Sequence, residues 1–340
     1  MTQNANFSFD DVAIVSLEAC EAPIVVTSDA IDERLAPFYA RGGGKPGLLE
    51  SLAGIRERRQ WPADVSFTDA AAMAGEQALV ASGVDRERMG LLIDTSVCRA
   101  RLEPSSAVTV HDRLGLPPTC INLDVVNACL GFLNAMQLAG AMLDAGHIDY
   151  ALIVDGEGTT EIYDNTIDHL VTRGKDLADI LDNFATLTLG SGSAAMVLGR
   201  HSENPGSHQV LGGFFRAATE HHELCVGSLE GMTTDTKALL DAGTELAKLA
   251  WDDAGAGASW GGRDRYILHQ VSEVHTNAML DVLGIDPDKV PKTFPHYGNI
   301  GPAAIPITLA SVVDTLSPDD RVLCMGIGSG LNAGVIDIRW

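Results

Sequence analysis

Cys129, in the run DVVNACLGF, has the setting that makes a thiol nucleophilic: a strand-like segment precedes it and a helix-like segment begins at it. At a helix N-terminus the positive end of the macrodipole and the free backbone N–H groups favour the thiolate, so the sequence predicts a lowered pKa. The other cysteines, at 20, 98, 120, 225 and 324, have no matching helix start and read as structural thiols. Cys120 and Cys324 fall in or beside apolar strands, Cys20 and Cys98 in short loops. His269 ends the strand YILHQ, at the kind of strand edge where α/β folds place their sites. Asn299, in HYGNIGPA, follows Gly298 and precedes a Gly-Pro pair, so its backbone is tightly specified. Taken singly, these are a buried thiol, a core histidine and a turn residue.

Internal symmetry makes them a constellation. GSGSAAMVL at 190–198 matches GSGLNAGVI at 328–336 at an offset of 138, with five of nine positions identical. Upstream, INLDVVNACLGF at 121–132 answers the region KTFPHYGNIGPA at 292–303, and an offset of 170 sets Cys129 opposite Asn299; GLLIDTS at 90–96 answers RYILHQV at 265–271. The two offsets differ because the first copy holds extra residues between 158 and 188, expected as a surface or cavity-lining segment. Two similar α/β halves packed face to face would bring corresponding strand ends together. The turn at 328–330 is expected to present the Ser329 N–H. Neither Gly-Ser-Gly run opens a helix or carries a lysine, so neither reads as a phosphate loop.

The elements that must position these residues alternate along the chain. Expected helices cover 68–82, 129–145 and 236–254, with strands at 90–95, 121–126, 150–156 and 265–270 and a Gly-rich strand pair at the end. Strands separated by helices predict an α/β fold. The turn-rich HSENPGSH at 201–208 reads as a linker, giving halves 1–205 and 206–340.

Composition bounds the partners. The 340 residues carry 23 Lys+Arg against 46 Asp+Glu, a formal charge of −23, which disfavours nucleic acid and anionic membranes. Arg56, Arg58 and Arg59 form the one dense basic patch, expected to meet the phosphates of an anionic ligand. EHHELC at 220–225 has ligand-type residues, but adjacent His221 and His222 point apart, so no metal is expected. Scattered single cysteines, an N-terminus without basic and apolar signal regions, and no unbroken apolar span predict a soluble cytoplasmic protein.

In their order and spacing, NACLGF, LHQ, HYGNIGPA and GIGSGLN resemble the thiolase superfamily, and within it the ketoacyl-synthase III branch; GIRERR at 54–59 and DTSV at 94–97 support this from about residue 12 onward. LLIDTSVCRARLEPS, VDGE at 154–157, ATE at 218–220 and MTTDT at 232–236 are similar to the OleA-type subfamily, which condenses two acyl-CoA molecules in olefin and β-lactone biosynthesis. The resemblance implies a thiolase fold, two pseudo-twofold halves layered αβαβα, and a homodimer. It implies a Cys129–His269–Asn299 triad, an oxyanion hole from the N–H groups of Cys129 and Ser329, and Glu103 as a base reaching the partner's site. Before Pro104, Glu103 is held extended; by itself it reads as a solvated acid. The implied reaction is a non-decarboxylative Claisen condensation without metal or cofactor, coenzyme A entering as substrate. Its alternative is decarboxylative condensation with malonyl-ACP, which does not need Glu103. A non-catalytic partner subunit is disfavoured by the intact triad. The aromatic and arginine that clamp adenine in ketoacyl-synthase III correspond to Leu48 and Leu52, and Tyr297 replaces a commoner small residue; there the resemblance lapses.

Overall fold

The helix Phe67–Ser82 shows how local chemistry sets the frame. Asp69 N donates to Ser66 Oγ at 3.1 Å and Ser66 N donates to Asp69 Oδ2 at 2.9 Å, a reciprocal cap, while Gly83 closes the helix at a φ of 64°. The computed structural model describes residues 6–228, 231–254 and 260–340. Its strands are β1 (Asn6–Ser8), β2 (Ala13–Glu21), β3 (Ile24–Thr27), β4 (Glu57–Gln60), β5 (Met89–Asp94), β6 (Ile121–Asp124) and β7 (Tyr150–Glu157). They continue as β8 (Gly192–Gly199), β9 (His208–Ala217), β10 (Cys225–Gly227), β11 (Met232–Thr234), β12 (Arg265–Leu268), β13 (Arg321–Gly328) and β14 (Asn332–Arg339).

The large sheet runs β12-β13-β14-β9-β2-β8-β7-β5-β6, with β1 on β9. Outward from its middle, one succession occurs twice. β2 pairs antiparallel with β8, β8 antiparallel with β7, and β7 parallel with β5. On the other side β9 pairs antiparallel with β14, β14 antiparallel with β13, and β13 parallel with β12. The counterpart of β6, residues 291–294, is not a strand and leads into the short helix Phe294–Tyr297.

Three apolar clusters stack the layers. Ala74, Ala78, Val110 and Leu114, from the helices Phe67–Ser82 and Ser106–Leu114, pack on one outer face. Leu246, Ala250, Met279 and Leu280, from Thr236–Ala254 and Glu273–Leu283, pack on the other. Between them lies Gly131–Asp144, whose Phe132, Leu133, Met136 and Leu143 touch strands of both halves together with Ile305 and Leu309. This mostly buried helix is the central layer of αβαβα.

The extra residues of the first half form the helices Thr160–Arg173, Leu177–Asp182 and Phe184–Leu187. Tyr163, Ile167, Leu170 and Phe184 pack there against Ile31, Leu35, Phe38 and Leu49, a helical cap with its own apolar centre. The segment 187–192 ends this cap and turns into β8. Cys20 lies within β2, not in a loop. Among the described residues no helix is long and apolar enough to cross a membrane.

Candidate active site

Cys129 stands between β6 and the helix Gly131–Asp144, on a turn held in an uncommon shape. Ala128 has a φ of 44°, left-handed backbone that a side-chain-bearing residue adopts only when its surroundings demand it. Those surroundings are tight. A methyl on Gly131 would meet the carbonyl oxygens of Val125 at 3.0 Å and Thr95 at 3.1 Å. Asn127 Nδ2 donates to Asn134 Oδ1 at 2.8 Å, and Asn332 Nδ2 donates to Asn127 Oδ1 at 3.2 Å, so the other half of the chain also grips the turn.

The two Gly-Ser-Gly runs have a reciprocal job. A methyl on Gly328 would stand 3.1 Å from the Asn127 carbonyl oxygen and 3.3 Å from the Cys129 nitrogen. One on Gly190 would stand 1.9 Å from the Tyr297 carbonyl oxygen, where no atom fits. Gly190 corresponds to Gly328, and Tyr297 to Asn127, by the offsets of the repeat. Each half's turn therefore backs the other half's site loop. This brings Gly328, the neighbour in sequence of the partly exposed Ser329, against the Cys129 backbone nitrogen.

His269 follows β12 directly, its N–H donating to Met325 O at 2.8 Å and extending the strand pairing by one residue. Its ring is buried, with 4% of the residue exposed. Burial first, and the nearby His275 second, lower its pKa from 6.5 to about 3, so the imidazole is neutral. Gln270 ties this strand end to the Asn299 segment: Thr293 N and Phe294 N donate to its Oε1 at 3.0 and 3.3 Å. Asn299 is fixed by its backbone to the first half, its N–H donating to Thr188 O and its O accepting from Gly190 N, each at 2.9 Å. Its Oδ1 accepts from Gly301 N at 3.0 Å, which orients the amide and leaves the NH2 as the group to offer.

The expected depression of the Cys129 pKa is reversed. Burial pushes the thiol up to about 12, and Cys225, Glu157 and Asp155 add to the effect. Two features account for this: the helix starts at Gly131 rather than at the cysteine, and two carboxyls lie close by. Both carboxyls are themselves pushed towards the neutral form. Glu157 rises from 4.5 to about 7, by desolvation above all, although Val97 N donates to its Oε1 at 2.6 Å and Cys98 N to its Oε2 at 3.3 Å. Asp155, beside it, is likewise raised well above the usual carboxylate range, again first by burial.

The other expected site residues divide. Glu103 lies exposed on the segment after β5, beside fully exposed Leu102, and makes no hydrogen bond or ion pair among the described residues. Arg56 is exposed. Arg58 corrects the basic patch: it is fully buried, its guanidinium within 3.5 Å of Ser28 Oγ, and so cannot meet a ligand phosphate at the surface. Arg59 is engaged with Glu21 at 2.9 Å and Glu57 at 3.1 Å. In the 220–225 segment, His222 Nδ1 lies 3.0 Å from Thr219 O and its Nε2 2.9 Å from Glu223. Sequence reasoning missed Ala128, Gln270 and Glu157 as positioning residues. Each stood inside a quoted motif, and only its spatial neighbours reveal the role.

A duplicated five-layer fold, with the cysteine on one copy and the histidine and asparagine on the other, is the architecture of the thiolase superfamily. Residues 123–213 match the family model for 3-oxoacyl-[acyl-carrier-protein (ACP)] synthase III, and residues 254–340 that for its C-terminal region. The acyl-CoA:acyl-CoA alkyltransferase of Xanthomonas campestris is 42% identical over 336 residues, 98% of this chain and 99% of the relative. That of Shewanella oneidensis is 35% identical over 348, with the same coverage. The crystal structure of a variant of Xanthomonas campestris OleA with bound lauric acid and lauroyl-CoA superposes with a TM-score of 0.95, at 42% identity, covering 98% of this chain and all of that one. The chain belongs to the acyl-CoA:acyl-CoA alkyltransferase family.

Proposed function

We propose that the protein joins two fatty acyl-CoA molecules by a non-decarboxylative Claisen condensation. Cys129 attacks the first thioester; its sulfur bonds to the acyl carbon, CoA leaves as the thiol, and the N–H groups of Cys129 and Ser329 hold the oxyanion. The second acyl-CoA sets its carbonyl oxygen against His269 Nε2–H and the Asn299 amide. The partner subunit's Glu103 takes the α-proton. The enolate carbon then attacks the acyl-cysteine, a carbon–carbon bond forms, the carbon–sulfur bond breaks, and the Cys129 thiolate is reprotonated. The product is a 2-alkyl-3-oxoacyl thioester, whose hydrolysis gives the β-keto acid. Of the basic cluster only Arg56 remains offered to CoA phosphates.

The observation that carries this reading is that His269 is a neutral buried imidazole and Asn299 an amide whose oxygen is already bound: each has an N–H to offer to charge developing on an oxygen, and an imidazole lowered to about 3 is poorly suited to take the α-proton as a base. That base must come from elsewhere. Glu103 suits it, because it lies exposed next to an unpaired sheet edge, β6, flanked by the exposed apolar Val97, Leu102, Ile121 and Val126. A homodimer across this face would cover the apolar side chains and carry each Glu103 toward the partner. The boundary near residue 205 belongs to the same reading, as the join between the copies.

Intact-protein mass spectrometry after incubation with a mixed acyl-CoA pool tests the proposal. The expected result is one acyl group on Cys129 and, without malonyl thioester, a condensed β-keto product. Product that forms only with malonyl-ACP would instead assign the decarboxylating reaction.

A further inference from the structure

Three neighbouring strands end on carboxylates, and together these hold one loop. Asp94 closes β5, Asp124 closes β6 and Glu157 closes β7. Each accepts backbone N–H groups from the segment that joins β5 to the helix Ser106–Leu114. At the near root Ser96 N donates to Asp94 Oδ1 at 2.8 Å, and Val97 N and Cys98 N donate to Glu157. At the far root Ser106 N and Ala107 N donate to Asp124 Oδ2 and Oδ1, at 3.0 and 2.8 Å. Between the roots the chain is an arm. Residues 100–104 are all exposed, and among the described residues no backbone group of 100–103 makes a hydrogen bond. One side-chain tie remains, from Arg101 Nη2 to Thr109 Oγ1 at 2.7 Å. Glu103 stands on this arm.

A single side chain joins the two roots. Arg99 Nη1 donates to Ser96 O at 2.6 Å and to Cys98 O at 2.7 Å, and reaches across the arm to Ser106 Oγ at 3.4 Å. Its Nη2 stands 3.5 Å from Asp124 Oδ2. We propose that Arg99 is a positioning residue for the condensation: by clasping both roots of the arm it fixes where Glu103 stands. The inference rests on the condensation reading, with Glu103 as the α-proton base. A base acts only within reach of its proton, and a misplacement of about 1 Å can cost about a hundredfold in rate. Residues 100–103, with no backbone hydrogen bonds, take their geometry from the roots. Arg99 has a second effect, through its charge. Burial raises the pKa of Asp94 and of Asp155, and the Arg99 cation opposes the rise. The clasp needs the two nitrogens of a guanidinium, whereas the charge effect needs only a cation, so the two can be separated.

The test is hydrogen exchange of the resting protein, read residue by residue, beside the rates of the two half-reactions. In wild type the N–H groups of Val97, Cys98, Ser106 and Ala107 should exchange more slowly than those of 100–103. Uniformly fast exchange across 97–107 overturns the proposal without any variant. Arg99→Lys keeps the cation and loses the fork. It should quicken exchange at both roots about tenfold and slow condensation about tenfold or more, while acylation of Cys129 keeps its rate. Asp124→Asn, which loosens the far root and keeps one acceptor oxygen, should give the same split even where Arg99→Lys fails to fold. Folded variants with unaltered exchange and condensation overturn the proposal. Equal slowing of acylation and condensation does so too, because it marks a general packing role. Wild type that cannot condense acyl-CoA, or Glu103→Gln that condenses normally, sinks the condensation reading, and exchange at the roots then decides the clasp by itself.

Discussion

A thiol held near 12 and an imidazole held near 3 do not form an ion pair at neutral pH, so Cys129 rests as a thiol and His269 as a neutral imidazole. Alkylation of Cys129 should therefore keep accelerating above pH 9; a rate that levels off near neutrality would mean a preformed thiolate. Cys129→Ala should keep the fold and abolish turnover, as activity and circular dichroism together would report. His269→Ala and Asn299→Ala should each cost about 10²–10³ in condensation and less in acyl transfer, because charge on the second carbonyl develops only in the condensing step. Equal loss in both half-reactions would make His269 the base that activates the thiol. Glu157 gives a pH signature. Its folded pKa is raised from 4.5 to about 7, so its contribution to stability is fully present below 4.5 and lost as pH rises through 7. Wild-type Tm should fall between about pH 5 and 7.5 more steeply than that of Glu157→Gln, whose baseline is lower because two N–H groups lose a carboxylate acceptor. Cys129, His269 and Asn299 could be singled out because each falls in a repeated motif, although only His269 directly follows a strand. The sign of the Cys129 shift was not legible, because Asp155 and Glu157 lie well along the chain from it and approach only in the fold.

At the scale of elements, the strand and helix pattern was readable from periodicity, as the helix at 67–82 shows: the expected start at 68 falls one residue inside it. The cap helices were legible only as surplus length, since their apolar faces match residues 28–55, a pairing that no local pattern reveals. The burial of Arg58 was equally hidden, because β4 places alternate residues of GIRERR on opposite faces, and only the packing decides which face is inside. The reciprocal turns make a graded prediction. Gly190→Ala must displace backbone at 1.9 Å and should lower stability by about 1–3 kcal/mol, read by denaturant melting. Gly328→Ala needs only a few tenths of an ångström of adjustment, so it should fold, yet it should slow acylation by shifting the Cys129 nitrogen.

For the whole molecule, the decisive prediction concerns two chains. Glu103→Gln should still acylate Cys129 and stall before carbon–carbon bond formation. If the base acts across the dimer, mixing that variant with Cys129→Ala under subunit exchange restores one intact site in each heterodimer, about half of wild-type activity. An inactive mixture despite proven exchange would place the base in its own chain. The reciprocal support of the two halves has a further consequence, which concerns the order in which a polypeptide is made. Cys129 leaves the ribosome long before Gly328 and Asn332, the residues that back and tether its turn. A nascent chain therefore carries its cysteine without the geometry that arms it, and reactivity arrives only when the last strands close over the first half. A ribosome-bound chain truncated before residue 328 should form no acyl-enzyme, whatever thioester surrounds it.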